Sequence, residues 1–125
     1  MDEQEIKDSE LLYRVVKNSN PNCLIKGKLS AALFLDDNGV SVDRDGGRDE
    51  QTIINKFKDR FNRKKQDYKA SAKITAKQCR DINTCPLPKA NKNNPYHAEI
   101  WDSDTTPKID IAKAMQLAKV AILIE

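Results

Sequence analysis

The chain's single histidine lies in Asn94-Pro95-Tyr96-His97-Ala98-Glu99-Ile100-Trp101, the densest run of chemically capable side chains in the 125 residues. Read as a strand, this run puts His97, Glu99 and Trp101 on one face and Tyr96, Ala98 and Ile100 on the other, alternate residues standing roughly 7 Å apart. An imidazole beside a carboxylate can move a proton or hold a polar ligand. Val40-Ser41-Val42-Asp43-Arg44 alternates in the same way, with the valines inward and Ser41 and Asp43 outward. Ser41, Asp43 and His97 would all project from strands on their non-core sides.

Several chemistries can be weighed against this set. Ser41, Asp43 and His97 suggest a hydrolytic triad, yet no strained nucleophile elbow surrounds Ser41, and Gly46-Gly47 is not a phosphate loop. Hydrogen bonds that pin a loop are the expected role for these groups. His97-Ala98-Glu99 matches the H-x-E element of zinc deaminases, but no P-C-x-x-C follows it. Cys79, Cys85 and His97 are suitable zinc ligands, although C-x5-C is looser than the usual pair spacing and Cys79 falls on an expected helical turn. Buried free thiols are the expectation, with no metal and no cofactor. In ADP-ribosyltransferase-like domains an arginine or histidine, a serine and a late glutamate stand in the order of Arg14, Ser30 or Ser41, and Glu99. The enzymatic alternative is therefore a small transferase or hydrolase using His97 and Glu99, with Arg14 and Asp43.

The length fits one domain. No apolar run approaches the roughly 20 residues of a membrane span, and the acidic start, Met1-Asp2-Glu3-Gln4-Glu5, is unlike a signal peptide. Three cysteines are too few and odd in number for a disulfide framework. A cytoplasmic protein without a membrane partner is expected. The net charge of +3 is unevenly spread, because residues 56–73 carry +6 and the rest −3. Lys58, Arg63, Lys64 and Lys65 are the candidate phosphate contacts of this basic segment. Weak nucleic-acid binding is a further alternative, less favoured than an unidentified protein or small-molecule ligand, because pI 8.7 is short of the usual footprint.

The elements that must carry these residues follow from periodicity. Residues 1–10 are acidic and expected to fray, and residues 11–125 form a single α+β domain. Leu11-Leu12-Tyr13-Arg14-Val15-Val16 reads as a central strand, and Leu29 to Leu35 as an apolar run that turns at Asp37-Asn38-Gly39 to pair with 40–43. Asp49 caps a helix to about Lys65, its apolar stripe formed by Ile53, Ile54, Phe57 and Phe61. Tyr68 to Ile74 alternates as a strand, and Thr75-Ala76-Lys77-Gln78 matches a capping box. Cys85-Pro86-Leu87-Pro88 and the stretch to Pro95 read as an extended loop. Thr106-Pro107 opens a last helix with Ile109, Ala112, Met115 and Ala118 on its stripe, and Val120 to Ile124 ends it or adds a short strand. The architecture expected is a mainly antiparallel sheet with two main helices packed on one face.

Ser30-Ala31-Ala32-Leu33-Phe34, Gly39-Val40-Ser41-Val42-Asp43-Arg44 and Asn94-Pro95-Tyr96-His97-Ala98-Glu99-Ile100, with Pro86-Leu87-Pro88 and Leu117-Ala118, span most of the chain from Tyr13. In these short motifs the chain resembles a family of small, uncharacterised bacterial proteins. Val40 stands where that family's pattern has leucine. The resemblance implies a stand-alone domain and brings no activity with it; the recurrence of polar Ser41, Asp43, Arg44, His97 and Glu99 in its segments groups these residues as one candidate ligand-binding site.

Overall fold

A computed structural model describes residues 5–63 and 66–125. The strands are β1 (Leu11–Lys17), β2 (Leu24–Ile25), β3 (Lys28–Leu29), β4 (Val40–Arg44), β5 (Tyr68–Thr75), β6 (Cys85–Pro88), β7 (His97–Trp101) and β8 (Ile122–Ile124). The α-helices are α1 (Glu50–Asn62), α2 (Ala76–Asp81) and α3 (Ile111–Val120), with 3-10 turns at Pro21–Cys23 and Ala31–Phe34. Six strands form one antiparallel sheet in the order β6-β7-β4-β1-β5-β8, while β2 and β3 make a separate small hairpin. The fold is α+β.

β1 is apolar on both faces, so both sides of the sheet have to be covered. Leu12 and Val16 join Val40, Val42, Ala72, Ile74, Ala98 and Ile100 on one face, beneath α2, α3 and the Ala31–Phe34 turn. Tyr13 and Val15 face the other way and meet Ile53 and Phe57 of α1. The expectation that both helices share one face is thus corrected. α1 covers only part of its side, the β1 and β5 strands, and leaves the Ser41, His97 and Glu99 positions of β4 and β7 beside it.

Local signals fix several boundaries. The Asp49 side chain accepts the Thr52 N–H at 2.8 Å and starts α1. The Thr75 hydroxyl accepts from the Gln78 N–H while the Gln78 side chain accepts from the Thr75 N–H, each at 3.0 Å, completing the capping box of α2. Other expectations are corrected. Leu29 to Leu35 is no hairpin partner of β4: it is divided between β3 and the Ala31–Phe34 turn, where the Leu33 and Leu35 N–H groups donate to Ser30 and Ala32 carbonyls. β4 pairs with β1 and β7 instead. Residues 85–88, expected as a loop, form an edge strand, the position where prolines without N–H donors are tolerated.

The last helix begins at Ile111 with Asp110 as its cap, not at Thr106. The Ser103 hydroxyl accepts the Thr105 and Thr106 N–H groups and holds that stretch in a turn. Its buried side is Ala114, Leu117 and Ala118, whereas Met115 is 61% exposed. Residues 5–10 are docked where fraying was expected: Ile6 is buried, Arg80 holds Asp8 at 2.6 Å, and Ala76 N–H donates to the Glu10 carbonyl. No described helix is long and apolar enough to cross a membrane.

Candidate functional site

The β4 and β7 register sets Asp43 opposite His97 and Ser41 opposite Glu99, so the sheet brings these four to one face. On its other side Asp43 is paired with Tyr13 of β1. Arg44, one residue on, points to the opposite face and makes a two-pronged ion pair with Glu10 at 2.7 and 2.8 Å. That pairing holds the Glu10 carboxyl below its usual range and removes Arg44 from the site. The Arg14 side chain is turned away by the same alternation, donating through Nε to the Leu33 carbonyl at 2.7 Å and through Nη1 to the Ser41 carbonyl at 2.8 Å, while the residue itself borders the cleft described below. Of the residues of the transferase alternative, Ser41 stands opposite Glu99, and Arg14 reaches Ser41 through its carbonyl from the other face of the sheet.

Asp43 is 3% exposed, and its two oxygens are treated unequally. Oδ1 accepts the Asn94 side-chain N–H at 3.0 Å, while Oδ2 is buried without a hydrogen bond. Guanidinium nitrogens of Arg60 and Arg48 stand 3.7 and 3.8 Å from Oδ2. Those are ion-pair distances, too long for direct hydrogen bonds. Arg48 is committed elsewhere: it donates to the Arg44 and Asp45 carbonyls and stacks 3.6 Å above the Tyr96 ring. Arg60 is half-exposed and lies over the Phe57 and Phe61 rings. A cleft of about 90 Å³ opens here, lined by Tyr13, Val15 and Lys17 of β1, Ser41 and Asp43 of β4, His97 of β7, and Phe57, Arg60 and Phe61 of α1. It has room for several heavy atoms, since one water occupies roughly 10–15 Å³ by the same measure.

His97 Nδ1 lies 3.0 Å from the Lys89 carbonyl, which can only accept, so Nδ1 carries the proton of the neutral ring and Nε2 keeps its lone pair. The bond that would make His97 a triad base, from Nδ1 to Asp43, is therefore not made. Glu99 Oε1 accepts the Trp101 indole N–H at 2.8 Å, and Lys89 Nζ lies 4.8 Å from the centre of the Trp101 ring. This pair sits over Gly39, whose φ of +96° and missing Cβ are both needed: a Cβ there would fall 2.6 Å from the Trp101 indole nitrogen. Glu99 thus shares a face with His97 and does not line the cleft.

Next to Asp43, the Tyr13 hydroxyl donates to Glu50 Oε1 at 3.1 Å, and Lys73 Nζ donates to the same oxygen at 2.7 Å. Burial and the Glu50 carboxylate push the Tyr13 hydroxyl up to about 12, while Lys73 holds Glu50 below its usual range. Cys79 faces the core on the other side of the sheet, where burial pushes its thiol up to about 12, so Cys79, Cys85 and His97 do not converge. Among the described residues no group of three or more His, Cys, Asp or Glu side chains could hold a metal ion.

The basic segment is divided between elements. Lys58 on α1 stands over the Tyr68 ring, Arg63 is exposed just past the helix, and Lys73 is paired with Glu50. Lys64 and Lys65 lie outside the described residues. Sequence periodicity missed Arg60, Asn94, Lys17, Phe57 and Phe61 as parts of the site. Arg60 follows Phe57 by three, a spacing that puts it on the flank of the buried stripe, and that was the one available signal.

Compared with known proteins, the chain matches no family model, no curated protein and no solved structure. Function has to be argued from the site's own chemistry.

Proposed function

We propose that this chain is a small binding module whose ligand enters the cleft between α1 and strands β1, β4 and β7. The observation that carries the reading is the Asp43 carboxylate, buried with one oxygen free of hydrogen bonds at a cleft wall. A buried acceptor left unbonded costs roughly 1–3 kcal/mol, and a ligand hydroxyl bridging Oδ2 and a guanidinium, or an N–H that reaches Oδ2 alone, removes that cost. Such a ligand also gains the His97 Nε2 acceptor and the Arg60 donors. Glu99, held by Trp101, shapes the neighbouring rim. We place the module in the cytoplasm, a reading supported by three unpaired thiols.

The test is amide chemical-shift mapping of the full chain against a library of small polar fragments carrying N–H donors. The expected result is a set of fragments whose shifts cluster at Ser41, Val42, Asp43, His97 and Val15 and vanish in Asp43→Asn. Fragments that scatter over the surface, or that bind Asp43→Asn equally well, contradict the reading.

A further inference from the structure

We infer that the cleft takes a small tetrahedral oxyanion that carries its own proton, hydrogen phosphate, and turns away the proton-free sulfate ion; this rests on the binding reading above. Arg14, Lys17 and Arg60 bring three cations to the cleft lining against the single carboxylate of Asp43, so its field favours an anion. Arg14 acts there through its charge alone, because its guanidinium is bonded to the Leu33 and Ser41 carbonyls. The cleft of about 90 Å³ suits the five heavy atoms of such an ion, at roughly 10–15 Å³ for each water-sized atom.

Donors and one free acceptor meet at the buried wall. Asp43 Oδ2 has no hydrogen bond, and guanidinium nitrogens of Arg60 and Arg48 stand 3.7 and 3.8 Å from it. A hydroxyl that donates to Oδ2 and accepts from Arg60 sits at the bend between them, which spaces the two roughly 4.5 Å apart. The half-exposed Arg60 therefore has to back away by only about 1 Å. The other oxygens of the ion are left for the Arg60 fork and for the Ser41 hydroxyl, which also lines the cleft.

The carboxylate decides which oxyanion is accepted. Hydrogen phosphate keeps one proton at neutral pH and shares it with Oδ2 in a hydrogen bond, whereas a sulfate oxygen would face Oδ2 lone pair to lone pair. A phosphate monoester loses its last proton above a pKa of about 6 and meets the same repulsion. Selectivity of this kind comes from what the wrong ligand suffers. A cation is repelled by the lining, and a neutral alcohol leaves the Arg60 charge unanswered.

Isothermal titration of the full chain with sodium phosphate, sodium sulfate, methyl phosphate and glycolate, slightly above neutral pH and at fixed ionic strength, tests this. Phosphate should bind at millimolar concentration or below, with sulfate and methyl phosphate weaker by about tenfold or more. Asparagine offers an N–H where Asp43 offers a lone pair, so Asp43→Asn should lose the preference and bind sulfate at least as well as phosphate. Arg60→Gln, a change at a half-exposed position, should weaken phosphate by about tenfold and keep it ahead of sulfate. Glycolate separates a hydroxyl on carbon from one on the oxyanion itself. Sulfate binding the wild-type protein as tightly as phosphate, glycolate binding it more tightly, or no phosphate binding at millimolar concentration overturns the inference. If polar fragments still shift the Asp43 and His97 amides in that case, the binding reading stands and only the oxyanion is wrong. If they do not, both fall together.

Discussion

At the scale of single residues, the site depends on alternation within two strands and on a few side chains held from outside them. Tyr13 borders Asp43 and provides a test of how tightly this region is closed. Its hydroxyl is raised from 10.0 to about 12, by burial first and then by the Glu50 carboxylate. A raised value means the stabilising contribution is complete below pH 10 and is lost as pH rises through about 12. Tyr13→Phe should cost about 1 kcal/mol at neutral pH through the lost hydrogen bond. It should also remove one late-ionising tyrosine from the ultraviolet titration. A tyrosinate signal complete near pH 10 in the wild-type protein would show Tyr13 to be solvated. Asp43 and His97 were legible in the sequence because valine and alanine-isoleucine alternation fixes which positions turn away from the core. The same alternation puts Arg44 on the valine side of β4, so grouping it with Asp43 and His97 went against the strand's own period. Arg60 was hidden for another reason: the phase of α1 against the sheet is set by packing, which no local spacing records.

At the scale of elements, α1 is the piece that makes a cleft out of a sheet face. Phe57 of α1 is 2% exposed and packs in one cluster with Tyr13 and Val15. Phe57→Ala should destabilise the fold by about 3–5 kcal/mol in urea denaturation. A loss under 1 kcal/mol would mean that α1 is only loosely seated. The capping box of α2 gives a smaller effect: Thr75→Ala should cost about 1 kcal/mol, because Gln78 loses its N–H acceptor. That box was readable from the sequence because its bonds are local and side-chain specific. The Ala31–Phe34 turn was not, since a short apolar run suits a buried strand and a single helical turn equally. The start of α3 was misplaced because Ser103 captures the N–H groups that a helix from Thr106 would have left to water.

At the scale of the whole molecule, ionised carboxylates tie distant segments together. Arg44 lowers Glu10, Lys73 lowers Glu50, and the Asp110 N–H lowers Asp102. Lowered values stabilise the fold above the ordinary carboxylate range and cease to do so as pH falls through the depressed values. Stability should therefore decline below about pH 4.5, and Arg44→Ala should make that decline shallower by freeing Glu10. An acid limb unchanged in Arg44→Ala would show that the Glu10 pair contributes nothing. Strand order and the division of helices between two faces were beyond the sequence, since both arise from contacts between residues far apart in the chain. The central claim is that Asp43 is buried for a ligand and not for the fold. Urea denaturation of Asp43→Asn, read together with fragment binding, tests it most directly. Arg48 keeps its carbonyl acceptors and Arg60 is half-exposed, so neither is stranded by the change. The account predicts a loss of about 1 kcal/mol or less with binding at the cleft abolished. A loss of about 3 kcal/mol or more, with fragment binding unchanged, would contradict it.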